Sequence, residues 1–125
     1  MVLTIDNSRR IEDLQREFSR EFPFLRMEFY DRDLVSNDVA NCKRAKDGSK
    51  YLSDCGVSFT HDTVHVEPTM TVRELEHVFR DKYGLVMEVY RQSGTVWLKT
   101  MLTDEWTLSF QNEQGRLLSA PKSIA

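Results

Sequence analysis

The sequence predicts one α+β domain built from two strand–helix–strand units, and three observations carry that prediction. Apolar residues recur at steps of three and four in Ile11, Leu14, Phe18 and Phe22, and again in Val72, Leu75 and Phe79. This spacing sets them on one helix face. Each stretch is followed by strict alternation, with Leu25, Met27 and Phe29 in one and Leu85, Met87 and Val89 in the other, the period of a strand with one buried face. The two stretches also match each other in register. Ile5, Ile11, Leu14, Phe18 and Phe22 fall on Val66, Val72, Leu75, Phe79 and Tyr83. After a one-residue deletion, Met27, Glu28, Phe29 and Tyr30 fall on Met87, Glu88, Val89 and Tyr90. Two such units in series give a βαββαβ order. Its simplest solution is a ferredoxin-like antiparallel sheet with both helices on one face. Two copies are too few for a solenoid.

The elements follow in order. Leu3 and Ile5 mark a short first strand. Asn7 and Ser8 are placed to cap the first helix, with Glu12 and Asp13 at the positive end of its dipole. Pro23 marks its exit, and 25–30 is the second strand. Repeat 1 therefore spans about 2–31, and a connection runs over 32–60. Val64 and Val66 open repeat 2, about 63–91. Thr71-x-x-Glu74 is a capping box, with Met70 and Leu75 placed for the hydrophobic staple. Gly84 sits where a left-handed C-terminal cap is expected. A C-terminal β-meander is predicted over 95–119. Ser93-Gly94 is its first turn, with Val96 and Leu98 under the helices, Trp106, Leu108 and Phe110 on a further strand, and Leu117 and Leu118 on a last one.

The second half also resembles a ubiquitin-like β-grasp, in which a strand at 51–59 would join 63–67, the helix and the hairpin. That pattern carries no diagnostic motif and leaves residues 1–30 unexplained, so the ferredoxin-like arrangement is preferred.

Composition narrows the function classes. The chain has 125 residues, 17 Lys and Arg against 20 Asp and Glu, and a net charge of −3. That is enough chain for a sizeable core, and it carries no general attraction for phosphate. Its apolar runs fall short of a membrane span. The start lacks the pattern of a secretory signal. Two cysteines do not make a disulfide framework. A cytoplasmic domain with no membrane association is expected.

Motifs for chemistry are sparse. The glycines form neither a dinucleotide-binding nor a P-loop pattern, and no nucleophile elbow or zinc-helix motif is present. Cys42, Cys55, His61 and His65 have C-x12-C-x5-H-x3-H spacing, too wide between the cysteines for a finger. Small half-buried cysteines are the simpler reading. Cys55 has no His chosen for it by spacing, and His77 reads as a surface residue. Asp31 and Asp33 read as a solvated strand end. No catalytic residue, metal ligand or cofactor is assigned. Lys43, Arg44, Lys46 and Lys50 make the connection locally basic, and a charge cluster of this size is ordinarily solvated.

The strongest functional signal is the second face of the sheet. If the apolar set lies under the helices, the other face carries Arg26, Glu28, Tyr30, Val86, Glu88, Tyr90, Trp97, Lys99 and Met101. Aromatic and Met side chains among charges are typical of recognition surfaces. Tyr30, Tyr90, Trp97 and Met101 are the candidate partner-binding residues. An RNA-recognition sheet would need its aromatics on the central strands, where this order puts Thr4 and His65, so nucleic acid is disfavoured. The expected function is non-enzymatic protein binding or self-assembly through the open sheet face. The alternative is a small-molecule or enzymatic site between the sheet and the 32–50 connection.

Overall fold

The computed structural model describes residues 1–30, 47–57 and 61–120. Its elements are β1 (Val2–Ile5), α1 (Ile11–Glu21), β2 (Leu25–Tyr30), a 3-10 turn at Leu52–Cys55, β3 (Asp62–His65), α2 (Val72–Tyr83), β4 (Val86–Ser93), β5 (Val96–Lys99), a 3-10 turn at Met101–Thr103, and α3 (Leu108–Ser119). The architecture is mixed α+β. Among the described residues there are two antiparallel sheets, β1–β3 and β2–β4–β5, and three α-helices.

The βαββαβ order is present, but the strands do not join into the expected single sheet. A ferredoxin-like sheet would set β1 between β3 and β4, with β2 beside β3. Among the described residues β1 pairs with β3 alone, and β2 pairs with β4. Both pairs nevertheless bury their apolar faces together. Leu3, Ile5, Val64 and Val66 from the first pair join Leu25, Met27, Phe29, Met87 and Val89 from the second in one core cluster. Each pair turns one apolar face toward that shared core, and α1 and α2 supply Leu14, Phe18, Leu75 and Phe79 to it. Phe29 meets Phe79 edge-on, with ring centroids 5.4 Å apart.

The strand pairings join matched positions. Leu3 lies opposite Val64 in the first sheet, and Glu28 lies opposite Glu88 in the second. Tyr30 and Tyr90 flank the second pair on opposite sides.

The helix starts show a second correspondence. The Ile11 and Glu12 amides at the start of α1 donate to Lys50 O and Gly48 O, while Leu52 N and Ser53 N donate back to Arg9 O and Asn7 O. At the start of α2, Val72 N and Arg73 N donate to Trp106 O and Asp104 O, while Leu108 N and Ser109 N donate back to Met70 O and Pro68 O. Each exchange satisfies amides that a helix start leaves without an intrahelical partner. Leu52 and Leu108, equivalent in the two exchanges, are both fully buried. Asn7 and Ser8 do not cap α1. Arg10 takes the N-cap position and its amide donates to Asp13 Oδ2 at 2.8 Å, while Ser8 turns back to Asp6. Thr71 caps α2 as expected, accepting from Glu74 N.

The C-terminal meander ends after one hairpin. β5 pairs with β4, and residues 108–119 then form α3 rather than two more strands. Thr107 caps that helix by accepting from Phe110 N at 3.1 Å. The buried positions of α3 are Leu108, Gln111 and Gly115. Only one of them is a large apolar residue, so the helical period is silent in a hydrophobic count and the Trp106–Leu108–Phe110 alternation dominates it. Val96 and Leu98 are 52% and 44% exposed, because the terminal strand extends past the cover of the helices.

Candidate outer-face recognition site

The register places the outer-face side chains in rows. Arg26 lies beside Tyr90, and Tyr90 beside Lys99; Glu28 lies beside Glu88; Tyr30 lies beside Val86; Trp97 lies beside Gln92. Tyr30 and Tyr90 thus occupy rows on either side of the two glutamates. Their hydroxyls hydrogen-bond to each other, so the rings lean together over the Glu28–Glu88 row.

Each glutamate has its own cation. Arg26 Nε donates to Glu28 Oε1 at 2.8 Å, and Gln15 Nε2 from α1 donates to Glu28 Oε2 at 3.2 Å. Lys99 Nζ stands 3.4 Å from the buried Glu88 carboxylate. The same two cations lie over aromatic rings, with Arg26 5.8 Å from the Trp97 centroid and Lys99 5.7 Å from that of Tyr30. Such placements add attraction from the ring quadrupole. Burial raises the Tyr30 phenol well above the usual tyrosine range. The Tyr90 hydrogen bond and the charges of Glu88 and Glu28 add to the shift. On α2, burial pushes the Glu76 carboxyl up to about 8, reinforced by Glu88 and Asp104.

Arg26, Glu28, Tyr30, Tyr90 and Trp97 line one groove of about 370 Å³. Three of the four candidate residues therefore come together. Met101 does not join them: it opens the 3-10 turn after β5, is 46% exposed and lies outside the groove lining. A second, polar cavity of about 420 Å³ lies where α1, β2 and the turn at 47–50 meet, lined by Gln15, Arg16, Ser19, Arg26, Glu28 and Gly48. Arg26 and Glu28 wall both spaces. Gln15 and Glu76 had no sequence signal, since a polar residue on a helix reads as solvated until a strand is placed beside it.

Cys42, Asp31, Asp33, Lys43, Arg44 and Lys46 lie outside the described residues. Cys55 Sγ is 3.6 Å from Tyr51 O, and His61, His65 and His77 are exposed. Among the described residues, no group of three or more His, Cys, Asp or Glu is placed to hold a metal ion, and no helix is long and apolar enough to cross a membrane. No family model, curated protein or solved structure matches the chain.

Proposed function

We propose that the chain is a non-enzymatic recognition domain that binds a protein partner through the outer face of the β2–β4–β5 sheet. One observation carries this reading: Tyr30, Tyr90 and Trp97, from three different strands, line a single groove together with Arg26. Tyr, Trp and Arg are the side chains most enriched where binding energy concentrates. Rings held by strands and by each other lose little freedom on binding. The charges of the face are paired internally, Arg26 with Glu28 and Lys99 with Glu88. That suits an amphipathic polypeptide better than a phosphate backbone. We also read the chain as a duplicated unit, a reading supported by the Leu3–Val64 and Glu28–Glu88 pairings and by the two matched hydrogen-bond exchanges.

The test is selection from a displayed peptide library, followed by calorimetry of the selected peptide. Trp97→Ala is expected to weaken binding by at least about 1–2 kcal/mol while the domain stays folded. Neutralising Lys43, Arg44 and Lys46 together is expected to change salt dependence and association rate. Unfolding by Trp97→Ala, or abolition of binding by the charge changes alone, overturns the reading.

A second reading has its own support. The polar cavity beside the 47–50 turn is lined by Gln15, Arg16, Ser19, Arg26 and Glu28, the polar setting that a small-molecule site between the sheet and the connection requires. A thermal-shift screen separates the two. A saturable rise in Tm with one class of small anion, lost in Arg16→Ala, favours the cavity.

A further inference from the structure

We infer that the chain forms a two-fold dimer in which β5 pairs antiparallel with β5 of a second copy and the apolar flank of α3 closes over the joint. Among the described residues, all of the exposed large hydrophobic residues except Val2 and Tyr51 lie between Val96 and Leu118. Three of them, Leu98, Trp106 and Phe110, are joined through Arg91. Leu98 is the cross-strand neighbour of Arg91, whose guanidinium lies 5.7 Å from the centroid of the Trp106 ring. Trp106 in turn meets Phe110 edge-on at 4.8 Å. Helix α3 is oriented by Asn112, which accepts from Phe24 N just ahead of β2, and by Gln111, which donates to Thr103 O just after β5. At 100° per residue, Ser109, Glu113 and Arg116 then fall on the flank toward β2. Phe110, Leu117 and Leu118 fall on the other flank and the outer surface.

The size of this surface argues for an occupant. With typical side-chain areas, the fractional exposures between Val96 and Leu118 amount to roughly 800 Å² of apolar surface, about what each partner gives to a standard stable interface. A monomer ordinarily leaves a smaller patch uncovered. β5 is terminal in its sheet, and among the described residues no strand pairs with its outer edge. It carries no proline, and Lys99 is its only charge, so it has little of the protection that exposed edges usually have.

A second copy meets both demands at once, since a two-fold interface places the same strand edge and the same apolar flank on each side. Antiparallel pairing centred on Trp97 sets Val96 against Leu98 of the second copy on the face that carries α3, and keeps the two lysines apart. Trp97 projects to the opposite face of the sheet, so the dimer does not rest on the groove reading.

Sedimentation equilibrium of the full chain across protein concentration tests this. The expected mass is twice the chain's 14.7 kDa. Phe110→Ser/Leu118→Lys is expected to weaken dimerisation by about tenfold or more with unchanged far-ultraviolet circular dichroism, and Tyr90→Phe, on the far face, to leave it unaltered. Should the double variant lose its fold, Val96→Lys, at an exposed edge position, decides the matter by the same readout. A monomer at every concentration, or a dimer that Val96→Lys leaves intact, overturns the inference. Peptide binding in the groove is measured separately, so the failure of either proposal is seen independently of the other.

Discussion

The hydroxyls of Tyr30 and Tyr90 hydrogen-bond to each other above the row in which Glu28 faces Glu88. The two residues come from the last position of β2 and the middle of β4. They meet because the antiparallel register sets them on opposite sides of the glutamate row. Two carboxylates directly opposite each other are unfavourable on a sheet, and here Arg26, Gln15 and Lys99 offset that repulsion. The tyrosine arch is therefore a structural brace as well as a wall of the groove.

The brace can be measured. Tyr30→Phe and Tyr90→Phe each remove one hydroxyl and should each destabilise by about 0.5–1.5 kcal/mol. The double variant should cost less than the sum of the singles, since the bond is lost only once. A double-mutant cycle from urea unfolding checks this. Full additivity would mean that the hydroxyls do not interact in solution.

Glu76 makes stability depend on pH. Burial, with Glu88 and Asp104 nearby, holds its pKa at about 8 in the fold, against an ordinary 4.5. The protonated form is thus favoured by folding. Its contribution is complete below pH 4.5 and is lost as pH rises through about 8. Glu76→Gln stays neutral throughout and avoids that loss. The variant should match the wild type near pH 4 and exceed it by on the order of 1 kcal/mol above pH 8. Denaturant unfolding at both pH values reads the difference, and a constant offset would show that Glu76 does not titrate in this range.

The matched helix faces predict equivalent core roles for Phe18 and Phe79, both fully buried. Phe18→Ala and Phe79→Ala should each cost about 3–5 kcal/mol. A negligible change in Tm for either would remove that side chain from the core.

How far the sequence could be read depended on whether side-chain polarity tracked burial. α1, β2 and α2 obey that rule, and their periods, together with the Thr71 cap, place them closely, whereas the start of β4 departs from it, with Val86 and Glu88 buried as Met87 and Val89 are. The same alternation turns Tyr30, Tyr90 and Trp97 to the outer face, where they line one groove. Pairing was not legible, because Leu3, Ile5, Val64 and Val66 state only that one face is buried and not which strand lies alongside. α3 is hidden from the sequence for a related reason. Its inward face presents Gln111, which donates to Thr103 O and accepts from Arg91, and Gly115, whose value lies in the side chain it lacks. Alternation extended beyond Lys99 sets Met101 on the sheet face, but Thr100, which donates through its amide and hydroxyl to Val89 O, is the last residue in register and Met101 opens the 3-10 turn that follows.

Gly115 gives the sharpest test of the α3 placement. It lies within a helix, where alanine is ordinarily favoured by about 1 kcal/mol. A Cβ at this position would stand 2.7 Å from Phe24 Cβ, 3.1 Å from Arg91 Cγ and 3.2 Å from Phe24 O. The first and last of these groups belong to the turn into β2, which Asn112 already fixes through Phe24 N, so they have little room to retreat. Overpacking of this kind costs about 1–3 kcal/mol and outweighs the gain in helix propensity. Gly115→Ala should therefore destabilise the domain, and Gly115→Val should do so more strongly. Hydrogen exchange should show the α3 amides losing protection before those of α1. An alanine variant more stable than the wild type would mean that α3 does not approach β2 this closely, and the apolar flank assigned to the dimer would need to be placed anew.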